Sequence, residues 1–482
     1  MLSQEKPSLV IRASGRQFAS CIEYIFQLFG RVHGYECVLV SPSDPAPDAD
    51  IVISYSDDLA NVDTDSIFKP HLLIQRGTFF GPSFGKSIDP PSDFATLAEV
   101  AGGKYLEPLI EREGEVARMS ADLPASAFYM LSGYHDWIST KRDSHGRTLS
   151  THVPLPPATW DTPIVNHWFR QLHDLLQCLQ NNTPFEHETR PTVPGQQTIC
   201  LTHDVDLIRK YRLRNLPRQL VRASRAGGTV SGEWKRASDV FKAVRQDPYE
   251  SFDQLYAVKN RISAPSTFFF MGSDPGPRNG DYDINSREIR NLFTQAKSNR
   301  DEIALHGSYE SGDNPALLAK EKAALEKACG QPITGNRQHY LRFNTPGTWK
   351  TLDSLQMRYD STGGFADRSG FKYGWSGCFY PFNLNTMKPL ETIEIPLVSM
   401  DVTLAVYEKI PAELALERLT NLLDASCDNI PGGAFIFLWH NIMGDKATYP
   451  GYWDTFEYFF SIASGSARFI TLSQLCDEFE SR

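Results

Sequence analysis

The sequence predicts an α/β protein in two parts: a smaller α/β domain over 1–190 and a larger region over 191–482 in which strands alternate with helices. Three observations lead there. Short apolar runs recur between Gly, Pro and Asp clusters, which is how strands are bounded. Between them lie stretches with apolar residues at helical spacing. From residue 198 to about 475 the alternation becomes regular. That order implies parallel pairing through crossovers, either a doubly wound sheet or a barrel.

The elements follow in order. LVIRA, CVLVS, IVISYS and HLLIQRG read as strands near the start. FASCIEYIFQLFG sets Phe18, Ile22, Ile25, Phe26 and Phe29 on one helical face and is expected to stop at Gly30. The three-proline stretch PFEHETRPTVPGQQ (184–197) marks the boundary. Beyond it, strands are expected at 198–203, 266–272, 302–306, 392–398, 434–439 and 468–472. One helix should open on a capping box of Asn285 and Glu288, carrying Ile289, Leu292, Phe293 and Ala296 on one face. Another opens with Pro315 and stops at Gly330, and a third runs from Pro411 through Leu416, Leu419 and Leu423.

Bulk properties narrow the function. A net charge of -10 argues against a general nucleic-acid binder. No window approaches the ~18 consecutive apolar residues of a membrane span. MLSQEKPSLVIRASG has neither a basic n-region nor a long apolar run, so no signal peptide is expected. The eight cysteines are scattered without a CxxC pair, which fits reduced thiols. The expected compartment is the cytoplasm.

The chemistry concentrates at strand ends. In TICLTHDVDLIRK an apolar run ends in two aspartates, and the strand period of two puts Asp204 and Asp206 on one face. Unpaired, they would repel and one pKa would rise, so a cation between them or proton transfer by one of them is implied. His306 and His440 also sit at or just past strand C-termini, where α/β folds carry function. Singly, each histidine reads as a structural hydrogen-bonder, the aspartates as turn caps and Arg337 as half of a salt bridge. Together they supply a cation site of carboxylate and imidazole, a second carboxylate as base and a separate acid.

Five segments in order over 198–475 resemble the polysaccharide deacetylases of carbohydrate esterase family four, which share the NodB homology domain. THDVD is similar to the family's Asp-x-Asp motif, STFFFMG to its second strand and EIALHGSYES to its His-x-x-x-His metal motif. RQHY resembles Arg-x-Pro-Tyr and FLWHN the last motif. The resemblance implies a distorted (β/α) barrel and a metal-dependent hydrolase that removes an N-acetyl group from an amino sugar in a glycan or glycan precursor. It implies Asp204 as catalytic base oriented by Arg337, His440 as general acid, and an oxyanion contact from a backbone N–H near Tyr340. Asp206 and His306 would bind a divalent metal ion, most readily zinc, with manganese, cobalt or nickel as alternatives. Upstream, AFYMLSGYHDW, DSHGRTL and TPIVNHW resemble a domain, of open role, that precedes some divergent members.

Two departures stand out. Glu310 occupies the place of the second metal histidine, and His339 that of the proline. Glu310 reads as a third ligand, as a solvent-facing side chain that leaves two protein ligands, or as the mark of a lost site. His203 and His339, spare imidazoles near the same mouth, read first as structural, with substitution as a metal ligand the alternative for either. The loop 207–245 is densely basic, and Arg209 and Lys210 stand for two readings of it: a solvated surface, or a rim for an anionic or lipid-linked substrate with peripheral membrane contact. In the Gly-rich stretch 359–377, Trp375 is a candidate to stack on a sugar, or else a packing residue. Asp360 and Asp401 both stand as partners for His440. Two other functions stay open: hydrolysis of another non-peptide C–N bond, such as a formamide or cyclic imide, and a degenerate, non-catalytic carbohydrate-binding protein.

Overall fold

The four early apolar runs form strands and pair side by side. In the computed structural model, which describes residues 6–14, 16–42, 48–62, 69–101, 106–185, 196–211 and 247–482, they are β1 (Ser8–Ala13), β2 (Glu36–Val40), β3 (Ile51–Ser56) and β4 (His71–Gln75). A hairpin of β5 (Ile110–Glu113) and β6 (Val116–Met119) completes a six-stranded sheet in the order β2-β1-β3-β4-β6-β5. Every neighbouring pair is parallel except that hairpin. The helix Ala19–His33 buries Ile22, Ile25, Phe26 and Phe29 and ends at Gly34, at φ +80°. The expected stop at Gly30 is corrected. Gly30 lies inside the helix, where a Cβ would meet the Tyr35 carbonyl at 2.6 Å. The residue is there for the close approach of the returning chain.

The regular alternation builds a second sheet. Its strands are β7 (Gln197–Val205), β8 (Ser266–Phe270), β9 (Glu302–Gly307), β10 (Gly335–Gln338) and β11 (Tyr359–Asp360). A separate two-stranded pair, β12 (Phe382–Asn383) and β13 (Lys388–Pro389), precedes β14 (Ile393–Glu394), β15 (Ser399–Met400), β16 (Phe435–Leu438) and β17 (Ala467–Phe469). The path runs β14-β11-β10-β9-β8-β7-β16-β15, with β17 beside the start of β7, and its neighbours are all parallel. The two ends of this curled half-barrel, β14 and β15, are joined by residues 395–398. Four linking residues span at most ~18 Å, so the ends stay close without pairing among the described residues. The strand expected over 392–398 is therefore two short strands flanking a link.

Helices cover the outside, and their ends follow local chemistry. Arg287–Ser298 is capped by Ser286, whose side chain accepts from the Ile289 N–H; the capping residue expected was Asn285. Pro315–Cys329 opens under the Asn314 side chain and ends at Gly330, at φ +69°. The third expected helix spans Ala412–Cys427.

The expected boundary at 190/191 lies outside the described residues, but buried side chains of the two parts meet each other. Asp136 pairs with Lys372 at 2.7 Å, both buried. Asn166 exchanges hydrogen bonds with Ser376 at 2.9 and 3.2 Å. Phe128 packs edge-on to Phe382 and Phe169 to Trp375. All eight cysteines are free thiols. Among the described residues no helix is long and apolar enough to cross a membrane.

Candidate metal centre

Parallel strands joined by outer helices bring all their C-terminal ends to one side. β7 delivers Asp204 and Asp206 there, β9 delivers His306, β10 delivers Arg337 and His339, and the ends of β15 and β16 deliver Asp401 and His440.

Three side-chain atoms converge at the centre. Asp206 Oδ1 lies 3.1 Å from His306 Nε2 and 3.5 Å from His339 Nδ1, and the two imidazole nitrogens are 3.1 Å apart. Bonds of ~2.0–2.2 Å to a tetrahedral cation put its ligand atoms ~3.3–3.6 Å from one another, close to these edges. His306 Nδ1 lies 2.9 Å from the Arg337 carbonyl and donates to it, which leaves the Nε2 lone pair inside the triangle. The donor set of one carboxylate and two imidazoles fits a borderline divalent cation.

Two charged pairs flank the triangle. On one side Asp204, 4 % exposed, accepts from Arg337 Nη1 at 3.0 Å and lies 3.7 Å from His306 Nε2. The fully buried guanidinium is fixed by Thr202 Oγ1, by the carbonyl and hydroxyl of Ser361, and by the Phe269 ring below it. On the other side His440 Nδ1 donates to Asp401 Oδ1 at 2.7 Å, and its Nε2 faces Asp206 Oδ2 at 3.7 Å. The His440 and Val402 amides also donate to Asp401. Burial works against the His440 imidazolium, but Asp401 outweighs it and raises the pKa to about 9. For His306 burial is likewise overcome, by Asp204 and Asp206, and the pKa rises. Burial dominates at His339 and lowers it to about 4, so this imidazole is neutral and ready to ligate. Asp206 titrates well below the usual carboxylate range: burial pushes it up, but His339 and His306 prevail.

The structure brings together Asp204, Asp206, His306, Arg337, Tyr340 and His440. It does not bring Glu310 there. Glu310 is exposed at the start of the turn Ser311–Asp313 and accepts from Asn279 Nδ2 at 3.1 Å. The third donor is His339, for which the sequence offers a structural reading first and that of a substitute ligand as the alternative. The two departures from the motif thus compensate: an imidazole missing after β9 is supplied after β10, where Arg337 is in register with His306. His203 does have a structural place, Nδ1 to the Trp439 carbonyl at 2.7 Å. Between the two candidate partners of His440, Asp401 is the one in contact; Asp360 turns to Asn336 and Thr362.

The substrate contacts need correction. Trp375 is 1 % exposed, donates to the Cys378 carbonyl and packs on Phe169, so it belongs to the core. Arg209 pairs with Glu250 at 2.9 Å and Glu288 at 2.5 Å, and Lys210 with Asp445, so protein carboxylates already meet these cations. Residues 212–246 of that loop lie outside the described residues. The aromatics exposed near the mouth are Tyr340 and Tyr407, 38 % and 39 % accessible, and His145 of the N-terminal part stacks on Tyr340.

Comparisons with known proteins match parts of the chain. Residues 11–181 match a family of unknown function (DUF7033). Among curated proteins none matches the chain. Solved structures similar to it include a candidate polysaccharide deacetylase from Mycobacterium smegmatis, 18% identical, covering 62% of this chain and 95% of that one at a TM-score of 0.40. A carbohydrate esterase family four pseudoenzyme from Bacillus anthracis is 13% identical over 59% of this chain and 67% of its own, at 0.30. A family 4 acetyl xylan esterase from Clostridium thermocellum, in complex with a cobalt ion, is 14% identical over 58% and 91%, at 0.28. At such values no residue's role transfers, and the chemistry rests on the site's own geometry.

Proposed function

We propose that the protein is a metal-dependent hydrolase that removes an N-acetyl group from an amino sugar in a glycan or glycan precursor. The observation that carries this reading is the triangle of Asp206, His306 and His339 set between a carboxylate–arginine pair and a histidine–carboxylate pair. A divalent cation held there, zinc or another borderline ion, would supply Lewis acidity towards an amide carbonyl and a water.

The chain's own residues divide the proton work. Asp204, held in one orientation by Arg337, takes the proton of the attacking water. His440 sits opposite with its Nε2 towards the centre and its Nδ1 on Asp401, so the proton it carries points at the leaving amine. An amine departs poorly without that proton. A base and an acid on opposite sides of one centre suit hydrolysis of an amide, and the exposed Tyr340 ring suits an apolar sugar face.

The test combines metal analysis with a substrate screen. Purified protein should hold a stoichiometric divalent metal and release acetate from N-acetylated amino sugars in preference to N-formyl sugars or cyclic imides. Asp204→Asn should lower that rate by on the order of 10²–10⁴ while keeping the metal. Metal-bound protein inert towards every acetylated sugar, or an Asn variant as active as the parent, would refute this reading.

A further inference from the structure

We infer that Arg147, supplied by the N-terminal part, is a positioning residue for His339. The inference rests on the reading of His339 as a metal ligand. It gives the stretch matched by a family of unknown function a part in the C-terminal centre.

The reason lies in the backbone after His339. Tyr340 and Leu341 are consecutive non-glycine residues at φ +60° and +51°. Side chains with a Cβ persist in that left-handed region only where the surroundings over-determine it. Arg147 supplies the restraint from outside the barrel. Its side chain is 7 % exposed, and Nη1 donates to the Tyr340 carbonyl at 2.8 Å. Nε and Nη2 grip Asp143 Oδ2 at 2.9 and 2.7 Å, which neutralises the buried cation and fixes the fork's direction. Nη2 also reaches the Tyr407 hydroxyl at 3.2 Å.

The clamp is reciprocal. Arg342, just past the strained pair, donates from Nε to the His145 carbonyl at 3.0 Å and from Nη2 to Asp313 at 2.6 Å. The His145 ring lies against the Tyr340 ring, centroids 4.8 Å apart and 28° from parallel. His339 precedes this pinned turn directly, so the direction of its Nδ1 is set by the turn. Without the guanidinium, the Tyr340 carbonyl and Asp143 Oδ2 lose their donors, the left-handed pair can relax, and the His339 ring leaves the triangle. A barrel lacking the N-terminal part would keep Asp206 and His306 but not the third donor in place.

The experiment uses full-length protein stripped of metal and titrated with cobalt(II), read by visible d–d absorption. Parent, Arg147→Gln, Arg147→Lys and His339→Ala are compared, with Arg468→Gln as the control at the far end of the sheet, where β17 pairs β7. Arg147→Gln should weaken cobalt binding by about 10–100-fold, the range for lost support behind a metal ligand, and shift its spectrum towards that of His339→Ala. Arg147→Lys should recover part of both, and the control should match the parent. A folded Arg147→Gln protein with parental affinity and spectrum overturns the inference, as does a His339→Ala protein that binds like the parent. Should Arg147→Gln fail to fold, Asp143→Asn carries the same test by freeing the guanidinium: weakened binding is expected, parental binding overturns. A parent that binds no cobalt defeats the proposed function and this inference together, whereas a binding parent with an unaffected Arg147→Gln defeats only the inference.

Discussion

Desolvation acts on buried histidines in both parts of the molecule, and at two of those in the barrel it is overcome. In the N-terminal sheet His71 and His135 are fully buried, and burial lowers each pKa to about 4. Among the described residues, His71 has only the Ser54 hydroxyl on its ring at 2.9 Å, and neither nitrogen of His135 has a hydrogen-bond partner. At the mouth of the barrel His306 and His440 are almost as buried, yet both pKa values are raised. The same desolvation acts on all four. What differs is the carboxylates: Asp204, Asp206 and Asp401 face the second pair at 2.7–3.7 Å. A pocket that favours the proton on a buried imidazole against desolvation is one whose field favours a cation. At His71 no carboxylate offsets burial, and at His135 Lys372 works against Asp136, so both read as packing residues.

Three measurements bear on this contrast, the largest effect first. His440→Ala should slow amide hydrolysis by on the order of 10²–10⁴ and slow activated aryl acetates far less, since their leaving group needs no proton. Equal losses on both substrates would remove His440 from the acid role and leave it no different from His135.

The second is stability against pH. The folded-state pKa values of His71 and His135 lie below the unfolded value of ~6.5, so the unfolded chain binds more protons and stability falls as pH drops from ~6.5 towards ~4. His440, raised to about 9, has the opposite sign: its contribution is full below ~6.5 and is lost as pH rises through 9. Thermal midpoints should therefore decline on both limbs, and His440→Ala should flatten only the alkaline one. An acid limb that is flat across the range from ~6.5 to ~4 would show that the N-terminal histidines are not held neutral.

The smallest effect is a null. Glu310→Ala should leave cobalt affinity and spectrum unchanged, because this carboxylate points to solvent beside Asn279. Loss of binding in that variant would return Glu310 to the ligand set and displace His339.

These contrasts were unequally legible in the sequence. Asp204, Asp206, His306 and His440 could be gathered from strand order alone, since parallel strands with outer crossovers send every C-terminal end to one face. His339 could not. Its aim depends on a left-handed turn restrained by an arginine 193 residues away, which leaves no periodic trace. The one available signal was pairwise: a histidine gained at 339 beside a histidine lost at 310. Asp401 and Asp360 both end buried strands, and only the pairing of β15 with β16 puts Asp401 beside His440. Trp375 shows the limit of composition, because a Gly-rich aromatic stretch reads the same whether it lines a groove or, as here, fills a core. The short strands β10 and β11 escaped notice because GNRQ and YD carry almost no apolar pattern.

The ion pair of Asp136 and Lys372 bears on how such a chain can be inherited. Each partner lies in a different half, and both are shut away from water. Losing either strands a lone charge inside the other half, a change that is strongly destabilising. Drift at one position is thus tied to drift at the other, and recombination that exchanged one half for that of a distant relative would separate partners fitted to each other. Two sheets, each able to look like a module, are thereby coupled through one buried pair.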